Sequence, residues 1–203
     1  ANSGTIVVSG TDTEIESVVK NADKGLGNLK IVQDAVFAMN DSFAVASVEN
    51  NGVLNLSGLG DGTDLVNKGT LNVLADLSVH SLGGDVNVKS GKLESAINGG
   101  KLTVDEGAVA ELSDITLTDA LTNAGTLTAT GAVSASSLIN SGTATMTNVE
   151  TDIINTGDIT IGGDLTGALN NGHNATLNAV VGDITNTGSL TATGAIKGVI
   201  FNN

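Results

Sequence analysis

The sequence predicts an all-β fold, a single-stranded parallel β-helix (β-solenoid) with about 16 residues per coil and an irregular N-terminal cap. Three observations lead there. Asn-X-Gly triplets recur in phase, short alternating strands follow them, and one long block returns four periods later. The triplets are Asn50-Asn51-Gly52, Asn67-Lys68-Gly69, Asn98-Gly99-Gly100, Asn123-Ala124-Gly125, Asn140-Ser141-Gly142, Asn155-Thr156-Gly157, Asn170-Asn171-Gly172 and Asn186-Thr187-Gly188. The last five glycines, from Gly125 to Gly188, follow one another at a nearly constant step. Gly69 and Gly100 lie two such periods apart, with Gly84 near the midpoint. The longer step from Gly100 to Gly125 breaks the rule and predicts one enlarged coil or a short excursion. Residues 121–133 (LTNAGTLTATGAV) and 184–196 (ITNTGSLTATGAI) agree at nine of 13 positions although four periods separate them.

Each unit repeats one grammar. An apolar residue precedes the asparagine, glycine follows, and then comes alternation such as Leu71 and Val73, or Leu127 and Ala129. Period-two alternation over a short run means a strand with one buried face. Asparagine and glycine suit the corners because they enter left-handed backbone conformations most readily. Hairpins would place their turns closer together than this period allows. Homologous positions recurring once per unit instead stack directly above themselves, about 4.8 Å apart. The corners Asn67, Gly69, Asn123, Gly125, Asn140, Gly142, Asn155, Gly157, Asn186 and Gly188 are expected at equivalent positions, with amide ladders at some of them. Threonines in TLTATG are expected to cover the solvent face.

Two regions follow from the phase: residues 1–49, a cap or assembly segment, and residues 50–203, the repeat stack. Residues 5–9 (TIVVS) read as a strand. Residues 13–21 (TEIESVVKN) carry Thr13 and Glu16 in a capping-box pattern, which predicts a short helix against the β-branched content. Residues 29–33 and 37–48 read as strands, with Phe37 and Phe43 the largest core pieces. An open stack must cap or use its terminal strand edges. Ile6, Val7 and Val8 near one end, and Val199, Ile200 and Phe201 near the other, are therefore the candidate assembly residues. The opening at Ala1 fits a processed export product.

Composition narrows the chemistry. The chain of 203 residues has 22 acidic residues against eight lysines, no arginine, no cysteine, and a net charge of -14. Nucleic-acid binding is not expected, because phosphate neutralisation needs cations and base stacking needs aromatic rings. No apolar run reaches the roughly 18 residues of a membrane helix, so no membrane insertion is expected. Lyase chemistry lacks its basic residues, since no lysine or arginine lies between Lys101 and Lys197. The carboxylate pairs Asp61 and Asp64, Asp105 and Glu106, and Asp114 and Asp119 read as solvated charges rather than a hydrolase pair. His80 and His173 stand alone, and no GxSxG elbow occurs. No catalytic or cofactor-binding residue is expected. Calcium is the one metal considered, at Asp61 and Asp64, without the nonapeptide array of calcium-binding β-rolls.

The Asn-X-Gly corners and LTATGAV-type strands of residues 50–203 resemble the β-helical passenger domains of bacterial autotransporters and related surface adhesins, including large rickettsial-type surface antigens. The resemblance implies display outside the cell and roles in adhesion, aggregation or biofilm formation. The chain lacks the aromatic-rich outer-membrane barrel of that family, so a passenger fragment and a small secreted solenoid both stay open. The expectation is an extracellular, non-enzymatic structural protein that self-associates end to end into surface or matrix fibres. A monomeric adhesin binding a glycan or another cell surface is second, and a polysaccharide-active enzyme third.

Overall fold

A computed structural model describes residues 5–10, 13–14, 26–39, 45–59 and 64–203. All strand pairing within it is parallel, between strands one coil apart, so the chain is a single-stranded β-solenoid. One sheet runs the whole length with 12 strands: β2 (Thr13–Glu14), β4 (Val36–Met39), β6 (Val53–Leu56), β8 (Thr70–Val73), β10 (Asp85–Val88), β12 (Leu102–Val104), β14 (Leu121–Asn123), β16 (Leu138–Asn140), β18 (Ile153–Asn155), β20 (Leu169–Asn171), β22 (Ile184–Asn186) and β25 (Ile200–Asn202). At about 4.8 Å per rung it forms a spine about 50 Å long.

Two shorter sheets complete the walls. The N-terminal one holds β1 (Thr5–Val8), β3 (Leu26–Ile31), β5 (Val45–Asn50) and β7 (Asp64–Asn67). The C-terminal one holds β9 (Leu77–Leu82), β11 (Lys92–Gly99), β13 (Val109–Leu117), β15 (Thr126–Ser134), β17 (Thr143–Glu150), β19 (Asp158–Thr166), β21 (Asn174–Val181) and β23 (Ser189–Ala192), with β24 (Ile196–Lys197) also on β21. Its long strands shift register midway, as between Ala129 and Ala132. Each is two short limbs around a bulge, which turns the chain from a second face to a third.

The core is a set of stacked columns. Phe37, Leu54, Leu71, Val86, Leu102, Leu121, Leu138, Ile153, Leu169 and Ile184 lie in register along the spine, each at most 2% exposed. Branched aliphatics dominate because each inward residue must fill a narrow prism against its own homologue. Phe37 is fully buried and Phe201 is exposed, while Phe43 lies outside the described residues. Along this column the coil keeps close to the expected length, and the step from Leu102 to Leu121 is the long one. The N-terminal coils are irregular: Thr5 pairs with Asn28, and Asn28 with Ser47, both steps longer than the regular coil.

Two expectations need correction. Thr13 and Glu14 form strand β2 and not the first turn of a helix, because Phe37 and Ala38 below offer backbone partners in register; residues 15–21 lie outside the described residues. The Asn-X-Gly triplets also do not share one corner. Asn50 and Asn67 end strands of the N-terminal sheet, just before the spine, whereas Asn123, Asn140, Asn155, Asn171 and Asn186 end spine strands. The long step from Gly100 to Gly125 therefore combines the enlarged coil with a move of the triplet from one edge of the prism to another.

Candidate functional site

Both asparagine edges are hydrogen-bonded stacks. Asn50 Nδ2 donates to Asn67 Oδ1 at 2.7 Å. On the second edge Asn123, Asn140, Asn155, Asn171, Asn186 and Asn202 form an unbroken series, each Nδ2 donating to the next Oδ1 at 2.7 Å. A carboxamide carries a donor NH2 and a separate acceptor oxygen on one short stem, so identical copies can satisfy each other indefinitely. The Nδ2 groups of Asn123, Asn140, Asn155 and Asn171 also donate to backbone oxygens of Thr143, Asp158, Asn174 and Ser189 at 3.0–3.1 Å. Those carbonyls fix the amide orientation, since a flipped group would set oxygen against oxygen. These side chains are at most 4% exposed through Asn186. The series starts under Val104, which offers no donor, and Asn123 Oδ1 is left buried without a partner.

The glycine of each triplet follows from close approach. A Cβ on Gly142 would lie well inside 3.0 Å of Gly125 O, and one on Gly157 would meet Gly142 O in the same way. Gly125 itself fits beneath a β-turn in which Ala108 N donates to Asp105 O at 3.0 Å.

The acidic residues are largely employed in joining rungs. Asp76, Asp85, Asp114, Asp152 and Asp183 each accept a backbone N–H from the next coil, from Lys92, Lys101, Ala132, Ala168 and Val199 at 2.8–3.2 Å. Asp105 pairs with Lys89 at 3.1 Å. Asp64 is an exposed strand residue paired in register with Ser47, and Asp61 lies outside the described residues. Among the described residues no group of three or more His, Cys, Asp or Glu side chains is placed to hold a metal ion. His80 is exposed on β9, and His173 Nδ1 lies 3.1 Å from Asp158. Asn174 and His173 hold Asp158 below the usual carboxylate range.

Two exposed ion nodes stand on the walls. Lys92 Nζ lies 2.7 Å from both Glu94 and Glu111, which face each other in register; Glu111 first, then Glu94, raises the ammonium well above its ordinary value. A lysine held so firmly as a cation is not a general base near neutral pH. Glu49 is lowered to about 2 by the Asn51 amide and by Lys68 and Lys30. Shallow open grooves of about 300 and 260 Å³ flank Glu94.

The terminal rungs complete the candidate site. On β1, Ile6 and Val8 lie in register with the core residues Leu29 and Ile31, while Val7 lies over Lys30 and is 57% exposed. On the last rung Ile200 continues the column of Ile184 and is 45% exposed, and Phe201 pairs with Thr185 on the outward column. Val199 forms the preceding corner and donates its N–H to Asp183. Leu190, Ala192, Ile196 and Asn202 belong to the same end surface and were missed by the sequence reading. Counting one period from Ile184 and Asn186 finds Ile200 and Asn202; a search for Asn-X-Gly does not, because no glycine follows Asn202.

Among the described residues no helix is long and apolar enough to cross a membrane. No protein-family model, curated protein or solved structure matches the chain.

Proposed function

We propose that the protein is an extracellular structural rod that joins other copies of itself through its first and last rungs, building surface or matrix fibres. The observation that carries this reading is the C-terminal rung. There Leu190, Ala192, Ile196 and Ile200 continue the core columns as the last layer of the described residues, and β23, β24 and β25 each present a strand edge. Strand edges over exposed core columns favour addition of another parallel rung. Ile6 of a second copy, exposed on β1, supplies a matching inward residue on the corresponding wall, next to Val8, which is already buried. The resemblance to autotransporter passengers and surface adhesins supports placement outside the cell.

The test is electron microscopy with sedimentation of the chain, of Ile196→Asp/Ile200→Asp, and of a variant lacking residues 1–10. Both variants are expected to stay short while keeping their β circular dichroism. Fibres of unchanged length in both would overturn the reading.

A second reading, a monomeric adhesin presenting one face to a glycan or cell surface, is favoured by one feature. Thr128, Thr145, Thr160, Thr176 and Thr191 stack in register as a hydroxyl column on the second face. Glycan-array binding by a demonstrably monomeric preparation, abolished by Thr145→Val/Thr160→Val, would decide for it.

A further inference from the structure

The planes between successive rungs are not equally knit. Between the rung of β14 and β15 and the one below, three residue pairs lie in register on the spine and seven along the long strands. Between the rung of β7 and β8 and that of β9 and β10, the described strands pair on the spine alone, through four residue pairs from Asp85↔Thr70 to Val88↔Val73. β7 is the last strand of its sheet and β9 the first of the next, and the two do not pair.

Among the described residues, one side chain ties the end of β7 across that plane. Asn67 Nδ2 donates to Gly83 O at 2.7 Å and reaches Asp85 O at 3.3 Å. A backbone bond accompanies it, from Asp85 N to Gly69 O at 2.9 Å, at a Gly83-Gly84 corner where Gly84 has φ +62°; at the other end of these spine strands Lys89 N and Ser90 N donate to Val73 O at 2.8 and 3.3 Å, and Ser90 Oγ donates to Leu74 O. Beside the joint Leu65 and Leu77 are 8% and 6% exposed, whereas Val48 and Leu93, their neighbours in the same columns, are at 0%; the spine residues Leu71, Val73, Val86 and Val88 stay fully covered.

Resistance to opening a plane scales with the backbone bonds and apolar contacts that cross it. We infer that the plane between β7–β8 and β9–β10 is a flexible joint: the spine acts as its leaf, and the Asn67 carboxamide is the clasp at the corner where β7 meets the spine. Bending opens the walls away from the spine, so the rod flexes in one direction. The two parts on either side stay rigid, because each has its own paired wall.

Because the chain contains no cysteine, paired spin labels can be introduced cleanly. Lys30→Cys with Thr116→Cys spans five rungs including the joint, and Thr116→Cys with Lys197→Cys spans five rungs without it. Each pair of backbone sites is about 24 Å apart at the rung spacing. The distance distribution across the joint is expected to be about twofold broader than the other. Asn67→Ala should broaden the first distribution further and leave the second unchanged. Equal widths in the parent chain, no response of the first pair to Asn67→Ala, or broadening of both pairs would each overturn the inference.

Discussion

At the scale of the residue, the asparagine series sets the largest penalties. Asn155 donates to Asn171 and accepts from Asn140, and its amide also serves the carbonyls of Gly157 and Asn174. Asn155→Ala orphans a buried acceptor on Asn171 and is expected to cost about 2–3 kcal/mol in urea unfolding. Asn123→Ala should cost about 1 kcal/mol less, because it removes an orphan oxygen as it creates one on Asn140. An equal cost at both sites would mean that the ladder bonds are not the stabilising element. The glycines divide in the same way. Gly157→Ala forces a methyl against the backbone oxygen of Gly142, whereas the nearest atom to a Cβ on Gly162 is 4.0 Å away. The first is expected to cost more than about 2 kcal/mol and the second to stay within about 0.5 kcal/mol. The asparagines and glycines were legible because their spacing is regular. Asp114 and Asp152 were not legible as rung-to-rung acceptors, since a carboxylate that caps a backbone N–H reads the same in sequence as a solvated one.

Among the elements, strands and period were legible from alternation, but the wall to which a triplet belongs was not. Asn67 and Asn123 have the same local pattern, and only the pairing partners, Asn50 above one and Val104 above the other, distinguish their edges. The segment 13–21 shows the opposite failure. A capping-box pattern is a local preference, and at Thr13 and Glu14 the parallel partner strand outweighs it. On the N-terminal wall, β3, β5 and the corner after β7 are tied by Lys30, Glu49 and Lys68, with ion-pair distances of 3.4 and 3.2 Å. Glu49 has a folded pKa lowered from 4.5 to about 2. Its contribution is therefore present above pH 4.5 and lost as pH falls toward 2. Glu49→Gln should flatten the pH dependence of the urea midpoint in that window and lower the midpoint at pH 7 by the same amount, which is small because the pair is exposed. An unaltered acid slope would remove Glu49 from the account.

For the whole molecule, a net charge of -14 opposes the association that the terminal rungs favour. Screening weakens that repulsion beyond a Debye length of about 8 Å at physiological ionic strength. Sedimentation is accordingly expected to show longer assemblies as salt rises from low to physiological levels, and Ile196→Asp/Ile200→Asp should blunt the response. Assembly that shortens with salt would point to charge pairing between copies in place of apolar stacking. The solenoid as a whole was legible because one coil resembles the next; the change of wall between β7 and β9 was not, because neither strand departs from the common pattern.

The carboxamides from Asn123 to Asn202 all point one way, hydrogen toward the C-terminal side. Aligned dipoles in such a file polarise one another, so every added member tightens those already present. The file thus has an electrical sense, positive at Asn202, and a neighbour that meets it with a carbonyl or amide oxygen prolongs the series, whereas one that meets it with another N–H is turned away.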